Sequence, residues 1–91
     1  MSFEWDANKA TANFRKHGVQ FTEAVGVLSD AYAITITDDE SDPDEQRFIT
    51  LGMGIKGRIL VVVYKYSGEQ IRIISARMAG RPEREYYEAQ R

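Results

Sequence analysis

Ninety-one residues, 43% hydrophobic and 29% charged, fit one globular domain over residues 1–91 with one core, rather than a disordered chain. The absence of cysteine excludes a disulfide framework, a thiol nucleophile and a zinc site built on thiolates. The net charge of −2 argues against a polyanionic partner, but residues 30–45 carry seven acids and no Lys or Arg; setting them aside leaves seven acids against twelve bases, a balance of +5.

The opening "MSFEWDANKA" has no basic region leading into an apolar run, so no secretion signal is read and a cytoplasmic setting is expected. "FEW" (3–5) suits a short edge strand. Asp6 is a good N-cap, with Ala7, Ala10 and Phe14 following at helical spacing, and Gly18 is the expected stop. This predicts a helix over residues 7–17. "FTEAVGVL" (21–28) reads as a second short helix with Thr22 as its N-cap.

From residue 32 the period changes to two. "YAITIT" (32–37) and "RFITLGM" (47–53) alternate like half-buried strands, separated by the polar loop "DDESDPDE" (38–45). That loop's alternate acids resemble a calcium loop only loosely, because the glycine is missing and Pro43 intrudes; it reads as a solvated loop. "RILVVVYKY" (58–66) is β-branched and nearly continuous, a central strand covered on both faces. Its apolar run is far too short to cross a bilayer. "SGE" marks a hairpin, and "QIRIISA" (70–76) is the return strand. Pro82, at a first helical position, opens a last helix through Arg91. The expected fold is α+β: a small antiparallel sheet of about four strands, two N-terminal helices and one C-terminal helix, the helices to one side.

Three groups of residues could carry chemistry. Arg15, Lys16 and His17 stand where a helix ends, so they suit the negative pole of its dipole; equally they could form a cationic rim on phosphate, with His17 donating a proton. Arg72 interrupts an apolar strand and needs an acid or a ligand if buried, while Arg77 stands at the strand's end, where a guanidinium fork suits a phosphate. In the last helix, Arg81, Arg84, Tyr86, Tyr87 and Arg91 give either a salt-laced surface with one tyrosine in the core or a surface that stacks bases and holds phosphates. No nucleotide-binding glycine loop, G-x-S-x-G or H-E-x-x-H motif appears, so any catalysis is expected to run without cofactor or metal.

Two blocks of the chain resemble the BrnT family of type II toxin–antitoxin toxins. The first is "FEWDANKATANFRKHGVQFTEA", matching at Phe3, Trp5, Asp6, Lys9, Asn13, Lys16, His17, Gly18, Val19, Phe21, Glu23 and Ala24. The second is "GRILVVVY…IRIISARMA…E…Y", matching at Gly57, Arg58, Val62, Val63, Tyr64, Ile71 to Arg77, Ala79, Glu83 and Tyr87. The resemblance implies a RelE-like fold and a metal-independent endoribonuclease that cleaves RNA and blocks translation. It also implies a cognate DNA-binding antitoxin of the BrnA kind, with operator DNA bound only through the complex, and assembly as a homodimer or as a heterotetramer with the antitoxin. Carried over by position, the catalytic group is Lys16, His17, Arg72, Arg77 and Glu83, and Tyr87 is also a family position; with Arg81 and Arg84, taken from the reading of the last helix, it makes the RNA-binding group. Where the family commonly has lysine after "SAR" this chain has Met78, the basic segment that follows is Gly80-Arg81-Pro82, and Lys65-Tyr66-Ser67 replaces an arginine-bearing hairpin. These thinned cations open a second reading, a toxin-like module with weakened or lost catalysis that acts by binding the antitoxin and its DNA complex.

Overall fold

Asp6 and Gly18 do what their residue types dictate. In the computed structural model, which describes residues 2–91, the Asp6 carboxylate accepts from the N–H groups of Asn8 (2.7 Å) and Lys9 (3.3 Å) and opens helix α1 (Ala7–His17). Gly18 takes φ +69°, and its N–H closes the helix on the Phe14 carbonyl at 2.8 Å. Helix α2 is a single turn (Phe21–Ala24) that tightens into a 3-10 segment, Val25–Ser29. Its N-cap is Gln20 without a side-chain bond, not Thr22. Gly26 explains why the segment can lie so low: a Cβ there would stand 2.6 Å from Ile55 Cγ2 and 2.8 Å from Ile55 N.

The strands are β1 (Ser2–Glu4), β2 (Ile34–Thr37), β3 (Phe48–Met53), β4 (Ile59–Ser67) and β5 (Gln70–Met78), with helix α3 (Arg81–Ala89) last. They form one five-stranded sheet in the order β1-β5-β4-β3-β2. The expected four-stranded antiparallel sheet is corrected on two counts: β1 is a full member, and it runs parallel to β5 through Ser2↔Gln70, Phe3↔Ile71 and Glu4↔Arg72, so the sheet is mixed. The other pairings are antiparallel.

The helices do not lie to one side. On the first face, Leu60, Val62, Tyr64, Ile71, Ile73 and Ala76 pack with Val19, Phe21, Ala24 and Val27. On the second, Ile59 and Val61 join Ile49, Leu51 and Met53 beneath Ala79 and Tyr87 of the C-terminal segment. The near-continuous apolar run of β4 requires cover on both faces, and α3 supplies the second layer. Among the described residues no helix is long and apolar enough to cross a membrane.

Two irregularities position the functional residues. In the β4–β5 ladder Val63 pairs with Ser75 but Tyr64 pairs with Ile73, so Ile74 is an extra, bulged residue. Plain alternation over five residues would put Arg72 and Arg77 on opposite faces; the bulge returns both to the α3 face. The second is Asn13. Beyond β1 the edge of β5 is bare, and the buried Asn13 amide covers it, donating to the Ala76 carbonyl (2.8 Å) and accepting from the Ala76 N–H (3.1 Å). The same amide donates to the Val19 carbonyl at 2.9 Å. One side chain thus fixes α1, the loop after it and the edge of β5.

Candidate active site

Arg77 lies at the end of β5, where the strand turns into α3. Its guanidinium grips Glu83 with two parallel bonds of 2.9 Å, the bidentate fork that arginine geometry favours. Glu83 also accepts from the Gly80 N–H at 2.8 Å, the return half of a capping box. Gly80 has no side chain to give the other half. Hydrogen bonds from Arg77 and from Gly80 hold the Glu83 carboxyl below the usual carboxylate range, and the same pair raises Arg77. Arg77 therefore stays cationic and aimed.

A second arginine stands at the start of β4, at the same end of the sheet. Arg58 forks onto Glu23, with Nε–Oε2 at 2.7 Å, and its Nη2 donates to the Gly18 carbonyl at 3.1 Å. Glu23 is 1% exposed, and the Arg58 hydrogen bond outweighs its burial and keeps its pKa low. This pair ties the end of α1 to the sheet. The resemblance had named both positions without assigning them a role.

Lys16 and His17 share Asn13's face of α1 one turn further on, which sets them at this end of the sheet. Lys16 is exposed and His17 half-buried, and neither side chain makes a hydrogen bond among the described residues. No hydrogen bond joins them to Arg77. In α3, Arg81 pairs with Glu85 at 3.0 Å on the surface, and Arg84 donates to the Ala79 carbonyl at 3.1 Å. Lys16, His17, Arg58 and Arg77 thus stand at one end of the sheet and α3 starts from it; Arg58, Arg77 and Arg81 are each paired with a carboxylate, Glu23, Glu83 and Glu85. The acidic loop lies at the other end, where Glu45 meets Lys65 near the end of β4.

Two expected site residues are placed elsewhere. Arg72 points to the α3 face, but five residues along β5 from Arg77, on the order of 15 Å at strand spacing. It lies 3.7 Å from Glu4 of the neighbouring β1. Tyr87, expected to contact RNA, is corrected: it is 1% exposed, its ring is in the second-face core and its hydroxyl donates to Asp30. Burial and the Asp30 bond push that phenol up to about 12. Asp30 feels burial pushing its pKa up, but Tyr87, the Met53 and Tyr32 N–H groups and Arg91 outweigh it and lower the pKa. Among the described residues no group of three or more His, Cys, Asp or Glu is arranged to hold a metal ion.

The model of the family described as "Ribonuclease toxin, BrnT, of type II toxin-antitoxin system" matches residues 5–83. The chain belongs to the BrnT family. Its structure is also similar to the 1.1 Å crystal structure of the Brucella abortus ribonuclease toxin BrnT, with 28% identity and a TM-score of 0.68 over 89% of this chain and 99% of that one. No curated protein sequence matches it. As a BrnT-family chain it is a toxin of a type II toxin–antitoxin system, which implies a cognate antitoxin.

Proposed function

We propose that this BrnT-family toxin is a metal-independent endoribonuclease of RelE-like fold whose transition-state charge is met by Arg77. The observation that carries the reading is the Arg77–Glu83 fork: an exposed cation held rigidly at the end of a sheet strand. In the reaction the ribose 2′-oxygen attacks the adjacent phosphorus and loses its proton to a base. The bond from phosphorus to the 5′-oxygen breaks, and an acid protonates that oxygen. A 2′,3′-cyclic phosphate and a 5′-hydroxyl result. Arg77 stabilises the extra negative charge on the phosphoryl oxygens, and preorganisation by Glu83 means it need not move to do so. His17 serves as the proton-transfer group and Lys16 holds phosphate.

Glu83 was expected among the catalytic groups. Its two oxygens are committed to Arg77 and Gly80 and its pKa is lowered, which suits a positioning residue rather than a general base. Arg81 and Arg84 flank the site as phosphate contacts, and Arg72 reaches a different phosphate from the one at Arg77. The cognate antitoxin, a DNA-binding protein, covers this cationic end and carries the toxin to operator DNA in a heterotetramer.

The test is purified protein with RNA in EDTA, beside a homologous active toxin. Cleavage with cyclic-phosphate ends is expected, and Arg77→Ala lowers kcat by roughly 10²–10³. Glu83→Gln lowers kcat less and leaves KM near wild type, because it loosens the arginine without removing it. RNA left intact beside an active control would overturn the enzyme reading.

A further inference from the structure

Two arginine–glutamate forks flank this end of the sheet, one on each face. Arg77 is held by Glu83 of α3 on the second face, and Arg58 by Glu23 of α2 on the first. The Arg77 pair is partly exposed. Glu23 is 1% exposed, and among the described residues its two oxygens accept from Arg58 alone. A buried ion pair adds little stability, since apolar side chains of similar size often fill such a place as well or better. What it does supply is a fixed direction. Glu23 takes the Nε–H and one N–H of Nη2, and the Gly18 carbonyl takes the other. Both N–H groups of Nη1 are left without a protein acceptor among the described residues, on a side chain 36% exposed.

Gly18 directly follows Lys16 and His17, so Arg58 is the arginine whose bonds reach the end of α1; those of Arg77 do not. Lys56, in the turn before β4, also acts on Glu23 through its charge, so two cations attend this one acid. We infer that Arg58 is a second phosphate-binding residue, holding the RNA backbone beside Lys16 and His17 through Nη1, with Glu23 as its positioning residue. The inference rests on the ribonuclease reading only in taking RNA as the ligand. A guanidinium fixed along one edge and free at another suits a phosphate, whose oxygens accept the remaining N–H groups. The RNA strand then passes over the end of the sheet, from Arg58 on the first face to Arg77 on the second. The contact is to backbone, so it carries no base preference.

The test is binding of a single-stranded 2′-O-methyl RNA, which lacks the attacking hydroxyl, so affinity is read whether or not the protein cuts. The double variant Glu23→Gln with Arg58→Gln leaves no stranded charge and keeps the net charge at −2. A purely structural pair therefore predicts unchanged affinity. Loss of a phosphate contact predicts roughly tenfold weaker binding and a log–log salt slope shallower by about 0.7, alike for two RNA sequences. Glu45→Gln with Lys65→Gln removes a pair at the far end of the sheet and should change neither. Arg58→Lys gives the same readout in a chain that keeps a cation on Glu23, because its single ammonium is spent on that acid; it decides the matter if the double variant does not fold. Wild-type affinity and slope in these Arg58 variants overturn the inference, as does a wild-type chain whose RNA binding is insensitive to salt. Unmodified RNA left intact in EDTA, with the Arg58-dependent binding retained, would sink the ribonuclease reading and leave this contact standing.

Discussion

Replacing Asn13 with alanine tests whether α1 and β5 are joined as described. The substitution removes three buried hydrogen bonds at once: two donated by the amide, to the Val19 and Ala76 carbonyls, and one accepted from the Ala76 N–H. Each contributes about 1 kcal/mol net, and the stranded backbone groups of the buried Ala76 add to the loss, so about 3 kcal/mol is expected. For a domain of this size that lowers Tm by roughly 12–24 °C. Denaturant unfolding measures it, with the m-value unchanged because the fold is the same. Asn13→Asp separates this account from simple loss of packing. A carboxylate still accepts from the Ala76 N–H but faces two carbonyls it cannot donate to, so at neutral pH it is worse than alanine. In acid the protonated form regains one donor and part of the stability. A loss below about 1 kcal/mol in Asn13→Ala, or Asn13→Asp equal to it at every pH, would refute the reasoning.

Arg58→Ala strands the buried Glu23 carboxylate and costs about 3 kcal/mol by chemical denaturation. The folded pKa of Glu23 lies below its ordinary 4.5, so in the wild type this contribution is full above about pH 4.5 and is lost as pH falls through the folded value; the variant's stability curve is flatter there. Tyr87→Phe removes one of three donors to Asp30 and costs about 1–2 kcal/mol, and in ultraviolet titration it deletes the phenol that ionises near 12. Met78 is 40% exposed beside Arg77, so Met78→Lys should steepen the salt dependence of RNA affinity by about 0.7 in log–log slope, as one added phosphate contact does. An unchanged slope would mean that RNA does not pass this residue.

Much of the fold is legible where one residue type has one physical use. Asp6 and Gly18 bound α1, the β-branched run makes β4, and "SG" makes the hairpin. What escapes depends on partners distant in sequence. The parallel pairing of β1 is set by Gln70–Arg72, some seventy residues on, and no local pattern announces it. The Ile74 bulge leaves no mark in "IRIISAR", because every residue there suits a strand; only the facing Val63 and Tyr64 reveal the slip. Among the site residues, Arg77 is readable from its place at a strand end. Its bond to Glu83 is not, since it forms only once the Met78–Gly80 turn brings α3 round. Tyr87 is the converse case: an Arg- and Tyr-rich helix suggests a surface, and only the mate at Asp30 shows that this tyrosine is inside.

The separation of the cationic end from the loop at residues 38–45 also governs how the toxin approaches a nucleic acid before any contact forms. A body of charge −2 treated as a point is repelled by a polyanion, and added salt should speed its association. A body with opposite poles instead feels a torque. It rotates until Arg77 and its neighbours lead and the acidic loop trails, and the attraction on the near pole exceeds the repulsion on the far one because the field decays over about 10 Å at ordinary ionic strength. Under the proposed ribonuclease function, association with RNA is therefore expected to slow as salt is added, the opposite sign to the one its isoelectric point suggests.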